Sequence, residues 1–298
     1  MFLLFSFICV IALCAQNSLI KGYGDKHPDT EITYSFLSAV FALLICVCIG
    51  VAGTGLYFNP GSLVYSVLFA LFYAGSTVTF VLAVGCGSLA LTATIHSFAL
   101  IIPIIVGFAV WNEPISTIKI VGIVFLCASL LCIAEKGNAD SKISPRWVLL
   151  MCVSFLCEGL APVSLTAHKK AVGEELAAKS ESMVLVVAYI IAVVGLFVTV
   201  LAFEGKKKKT GVATVPVSKV IKFALPFAGV AGACNGIYNY VYSVASGKFD
   251  VSKFVPVVTA GQIIFTALVS VLLFKEKLSK KQYVSICCGI VAIVLLNV

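Results

Sequence analysis

The chain has 298 residues, of which 61% are hydrophobic and 11% charged, and it carries a formal net charge of +8. Its mean hydropathy is +1.11. Soluble domains are about 45–50% apolar and about 25% charged, so this composition excludes a water-soluble globule and leaves a polytopic membrane protein. The basic excess concerns orientation in a bilayer. It does not point to nucleic acid, which would require Lys and Arg clustered with aromatics on a polar surface.

A membrane helix needs roughly 20 apolar residues to cross a hydrocarbon layer of about 30 Å. Ten segments qualify, near 1–20, 32–56, 61–84, 88–111, 117–134, 146–167, 182–203, 219–243, 251–274 and 280–298. The first lacks the basic leader of a signal peptide and reads as a membrane helix. The breaks include Gly85-Cys86-Gly87, Asn112–Ser116, Glu135–Pro145, His168–Glu181 and Lys275–Ser279. Ser279 with Gln282 fits a capping box for the last helix. Ser116 offers a hydroxyl cap to the fifth, where Lys119 cannot close the box. The twelve cysteines fall almost all inside apolar runs and form no CxxC. They read as small hydrophobic residues, neither a disulfide framework nor a metal site, and no cofactor is expected.

Two stretches resemble each other. Ser88–Ala134 and Val251–Asn297 each read as apolar helix, charged break, apolar helix. Aligned without gaps, they share Glu113/Glu276, Ser116/Ser279, Val121/Val284 and Ile123/Ile286 across the break. The pattern suggests a duplication, with one five-helix repeat over 1–137 and a second over 144–298. A duplicated unit with an odd number of crossings enters the membrane from opposite sides. The expected fold is therefore an all-α membrane protein of ten transmembrane helices, built as two inverted repeats. Such repeats are a transporter signature.

With this helix count, with Glu113 and Glu276 closing the fourth helix of each half and a capped helix after each, the chain resembles the drug/metabolite transporter superfamily in its ten-helix EamA-type branch. The resemblance implies two inverted five-helix repeats around a central cavity. It implies movement of small organic metabolites such as amino acids, amines, nucleotide sugars or drugs. Members commonly keep both termini in the cytoplasm. The positive-inside rule gives the opposite orientation here, because only six of the 21 Lys and Arg residues lie on the side of the termini. The four-helix multidrug relatives carry a glutamate in their first helix, where this chain has Ala12. The sixth helix has Glu158 at the aligned position.

Glu158 is the sharpest candidate. It lies near the middle of the sixth helix among Phe155, Leu156, Cys157 and Leu160, and a charge at the bilayer centre costs about 2.5–3.5 kcal/mol on insertion scales. The carboxyl is expected to face a wet cavity, pair with a cation or hold a proton. Pro162 lacks the N–H that would occupy the Glu158 carbonyl. The competing reading is a protonated glutamate with one interhelical hydrogen bond.

Asn235, Tyr238, Asn239 and Tyr242 share a face of the eighth helix. They read as a polar, aromatic cavity wall, with Tyr242 assigned to the membrane interface. Gly229, Gly232 and Gly236 on an overlapping side permit close helix approach. His96 and Gln262, both near mid-span, are expected to face each other across the pseudo-two-fold, where His96 would titrate near neutrality. Gln16, Asn17 and Tyr73 are weaker candidates, and Pro103 would hinge the fourth helix. An acid at a helix C-terminus opposes the dipole, so Glu113 and Glu276 need compensation and read as structural anchors.

The function these residues support is secondary transport of a small polar or cationic organic solute. The expected partners are that solute, membrane lipid and a coupling proton or sodium ion, in a plasma (inner) membrane. A passive channel is the alternative, though it would require a continuous polar pore lining. A membrane enzyme would require a nucleophile–base pair, and none is visible.

Overall fold

Inside lipid every backbone N–H and C=O must find its partner within the segment, so apolar runs of this length become helices. A computed structural model describes residues 1–24, 30–84, 92, 95–96, 98–114, 116–133, 144–209, 217–272 and 280–297. Among the described residues are ten α-helices: α1 (Phe2–Gly24), α2 (Glu31–Ile49), α3 (Leu63–Val84), α4 (Ile101–Ala109), α5 (Thr117–Ile133), α6 (Pro145–Val172), α7 (Glu174–Lys209), α8 (Val217–Lys248), α9 (Val251–Leu272) and α10 (Lys280–Asn297). Six spans, Phe2–Ile20, Glu31–Gly53, Pro60–Ala83, Pro145–Val172, Glu174–Phe203 and Val220–Lys248, are long and apolar enough to cross a membrane. Phe98–Ala109 and Thr117–Ser129 are shorter apolar helices.

Side chains such as Leu3, Phe7, Leu71, Leu149, Val194 and Leu201 point outward. In water this would be a large exposed apolar patch; in a bilayer it is the lipid-facing coat. The buried interior is made of small and aromatic residues, with Ala42, Phe69, Ala188, Tyr189, Tyr242, Ala245 and Phe254 at its centre. Tyr242 is only 2% exposed. It packs on Tyr238 and Phe254, which corrects its assignment to the membrane interface.

The main helix pairs are α3 on α6, α1 on α8, α2 on α8, α3 on α7, α2 on α7, α5 on α10, α1 on α9 and α4 on α6. Glycine sets the closest of them. A Cβ on Gly232 would strike the backbone carbonyl of Ser38, and one on Gly236 would lie 2.9 Å from the carbonyl oxygen of Ala42. Gly229 meets the Phe41 ring. The glycine face of the eighth helix is therefore a seat for α2, as its spacing suggests.

The break expected at His168–Glu181 is much shorter. Helix α6 continues to Val172, and Gly173 at φ +85° turns the chain directly into α7. Only glycine takes such a φ readily. Glu174 and Glu175 in the first turn of α7 suit its dipole, and Lys179 pairs with Glu175 one turn on. These polar residues disguise a helix as a loop.

The turn also carries a buried ion pair. Lys169 Nζ donates to Glu181 Oε2 at 2.6 Å, with the two side chains 6% and 3% exposed. Beside it the ring of His168 shares hydrogen bonds with Ser62 Oγ at 2.9 Å and Ser180 Oγ at 3.3 Å. Stranding one buried charge costs about 3–5 kcal/mol, whereas an apolar pair of similar volume is often neutral. Lys169→Met is therefore expected to lower the detergent-solubilised melting point sharply, and Lys169→Met with Glu181→Leu to recover most of the loss.

Glu276, Lys275, Lys277, Ser279, the Gly85–Gly87 break and most of the 135–145 connection lie outside the described residues.

Candidate functional site

Glu158 sits near the middle of α6, and two other elements converge on its carboxylate. From α3, Ser76 Oγ donates to Glu158 Oε2 at 2.8 Å. From the helical segment before α4, His96 Nε2 stands 3.0 Å from Ser76 Oγ and 3.5 Å from Glu158 Oε2. Phe80 meets the His96 ring edge-on, with centroids 4.6 Å apart. Ser76 is 3% exposed, while the Glu158 side chain is 48% exposed. Tyr73, Tyr238 and Cys157 lie within electrostatic reach of the carboxylate. No Lys or Arg pairs with Glu158 among the described residues.

Local sequence explains this placement. Gly159, the next residue, has no room for a side chain. A Cβ there would lie 2.7 Å from the Ala99 carbonyl oxygen and against Ile102. The Ala99 carbonyl is the one that Pro103 cannot occupy. The backbone at Phe98–Leu100 is a 3₁₀ turn leading into α4. The stretch that ends at Pro103 thus packs directly against α6, one residue from the acid.

A second polar group lies across α1, α7 and α8. Tyr189 OH donates to Asn235 Oδ1 at 2.6 Å and accepts from Asn239 Nδ2 at 2.9 Å. Asn239 Nδ2 also donates to the Asn235 carbonyl at 3.0 Å. Asn235 Nδ2 donates to Gln16 Oε1 at 3.3 Å. Tyr73 connects the two groups. Its ring stacks on Phe69 at 5.8 Å and meets Tyr189 edge-on at 5.6 Å. Buried polar groups this well satisfied hold a fixed geometry.

The structure therefore brings Glu158 and His96 together, and separately Gln16, Asn235 and Asn239, with Tyr73 edge-on to Tyr189 of the second group and Tyr238 against Tyr242. His96 bonds Ser76, and Gln262 is half-buried on α9; no hydrogen bond joins the two. Asn17 is exposed on α1, one position from the inward-facing Gln16. Ser76 and Tyr189 escape a reading of the sequence. Each is a single hydroxyl in an apolar helix. The one available signal for Ser76 is its place in the small polar run Gly75-Ser76-Thr77.

Glu113, 6% exposed, receives backbone N–H bonds from Val251 at 3.1 Å and Ser252 at 2.8 Å. It caps the N-terminus of α9, whose positive dipole end supplies the compensation the carboxylate requires. Ser116 Oγ accepts from Lys119 N at 3.3 Å, and the Lys119 ammonium turns to the Pro114 carbonyl at 3.1 Å. The eleven described cysteines are all free.

The family model described as the EamA-like transporter family matches residues 145–298. No curated protein matches the chain. Among solved structures, one titled "Crystal structure of protein" is similar over 98% of this chain and 94% of that chain, with 13% identity and a TM-score of 0.75. At that identity the likeness concerns the fold.

Proposed function

The chain belongs to the EamA-like transporter family of the drug/metabolite transporter superfamily, and from that premise we propose that it carries a small polar or cationic organic solute by alternating access, with Glu158 at the binding point. A multi-pass membrane transporter of small molecules is what the family gives. The finer reading rests on one observation: a mid-helix carboxylate, half-exposed, bonded by Ser76, with His96 beside it and Tyr73 and Tyr238 within electrostatic reach. A carboxylate attracts a positive solute. Tyrosine faces attract the same charge through their quadrupoles, and the Gln16–Asn235–Tyr189–Asn239 group offers polar contacts to the rest of it.

Ten crossings in two inverted repeats, 1–137 and 144–298, fit the same reading. Exchange each helix with the one five places along and six of the packed pairs, or sets of pairs, exchange with it, while α9–α10 and α6–α8 have no comparable counterpart among the described residues. The α1–α8 pair becomes α6–α3, α2–α8 becomes α7–α3, and α1–α9 becomes α6–α4, while α2–α7, α4–α9 and α5–α10 map to themselves. The family match begins at residue 145, next to the proposed start of the second repeat. Two near-equivalent packings of this kind can open to opposite sides.

The test has two stages. Purified protein is screened for thermal shift against amino acids, amines and nucleotide sugars, because a ligand that binds only the folded state raises the melting point. Proteoliposomes preloaded with the stabilising solute are then expected to accelerate entry of the labelled solute. A passive pore gives no such counterflow, and a flat counterflow record would sink the transporter mechanism.

A further inference from the structure

Glu158 and His96 are 3.5 Å apart at their nearest atoms. That exceeds the 2.7–3.2 Å range of an effective N–H···O bond. Ser76 closes the gap, at 2.8 Å from the carboxylate oxygen and 3.0 Å from the imidazole nitrogen. A serine hydroxyl has one proton to give and lone pairs to accept with, so this bridge can be satisfied in two ways. With Glu158 ionised, the hydroxyl donates to Oε2 and accepts from a protonated Nε2 of His96. With Glu158 protonated, the carboxyl donates to Oγ and the hydroxyl turns to donate to an unprotonated Nε2. Both arrangements fill every position, and they differ only in polarity.

We propose that Ser76 is a positioning and relay residue that passes a proton between His96 and Glu158. The inference rests on the reading of Glu158 as the group that binds solute or proton. In one transfer the Oγ–H bond of Ser76 breaks as its proton joins Glu158 Oε2. The Nε2–H bond of His96 breaks as its proton joins Ser76 Oγ. An imidazolium, a hydroxyl and a carboxylate become an imidazole, a hydroxyl and a carboxylic acid, with total charge and electron count unchanged. The neutral acid no longer holds a positive solute, so the transfer is a release step. His96 then serves as the store from which Glu158 is discharged.

The surroundings suit this role. Among the described residues, the other titratable groups within electrostatic reach of the carboxylate include Tyr73 from α3, Tyr238 from α8 and Cys157 on α6. The His96 ring faces Phe80. No lysine or arginine pairs with Glu158 among the described residues, so no fixed cation competes for it. Ser76 is almost fully buried and its neighbour Ser154 Oγ points at the Ser76 carbonyl at 3.5 Å, which leaves the Ser76 hydroxyl to the two partners named.

The test needs no solute, only the protein and its protons. Nitrogen-15 NMR of histidine-labelled protein in detergent reports the protonation of His96 Nε2, assigned by its loss in His96→Gln. Glutamine is a neutral stand-in for protonated Glu158, able to donate to Oγ. Glu158→Gln is therefore expected to convert His96 from the Nε2-protonated to the Nε2-unprotonated form in an otherwise natural chain. The same substitution in a Ser76→Ala background is expected to leave the His96 signal unmoved, and Ser76→Thr to restore the response. An equal response in Ser76→Ala, or none in the natural chain, overturns the relay. If the threonine variant does not fold, the alanine comparison decides alone. Counterflow is measured separately, so a failed relay leaves the transporter reading standing, and a failed counterflow does not disturb the NMR result.

Discussion

Glu158→Gln is expected to abolish solute counterflow while leaving the melting point of the detergent-solubilised protein within a few degrees of the original. The substitution keeps the shape of the side chain and a hydrogen-bonding group for Ser76 Oγ, so the local packing survives. It removes the only acid placed near mid-span on α6. A hydrogen bond to a charged group contributes about 1.5–3 kcal/mol, so a cation bound there loses on the order of ten- to a hundredfold in affinity. Loss of the proton-binding step then removes release as well. Full counterflow in this variant would take Glu158 out of the mechanism. A large fall in melting point would instead make it a structural residue.

Gly232→Val is expected to be among the most damaging substitutions for stability. A Cβ at 232 meets the Ser38 carbonyl and the Phe41 side chain, and the carbonyl is backbone, which cannot rotate away. Overpacking costs about 1–3 kcal/mol when side chains can adjust, occasionally more. Here α2 itself must shift, so the cost falls at or above that range and the melting point should drop by roughly 5–10 °C. Gly195→Ala on α7 is the matching control. Nothing lies within 4 Å of its added Cβ, and alanine in a helix is about 0.5–1 kcal/mol better than glycine. Thermal unfolding of the two variants side by side checks both the contact and the reference. Equal melting points would mean that the α2–α8 approach is not set by Gly232.

What the sequence makes legible follows from the strength of the local signals. Lipid demands long apolar helices, so the apolar centres of the described helices are legible in the sequence, while α6 and α7 run further through the polar stretch between them than it suggests. The glycines of α8 announce a close approach, and Gly229, Gly232 and Gly236 indeed seat α2. Glu158 stands out because an acid is costly where it lies. Its partners do not, because Ser76 is an ordinary residue in an apolar helix and its importance comes only from the α3–α6 contact. The same holds for Tyr189, which joins Asn235 to Asn239 through a hydroxyl that sequence spacing cannot aim. His96 is legible as a mid-span histidine, but its bond to Ser76 comes from the packing of its segment on α3, which spacing along the chain does not show. The ion pair of Lys169 with Glu181 hides in a stretch whose polarity reads as a loop.

Glu113 has a mechanical consequence. Its carboxylate stitches the turn after α4 to the first residues of α9, thereby joining the two halves of the chain at one rim of the bundle. Pulling that seam apart would orphan two amide protons and a charge together, at about 1–3 kcal/mol for each amide and more for the carboxylate. The turn after α4 and the start of α9 are therefore fastened to each other, so that neither can shift without the other unless this seam is broken.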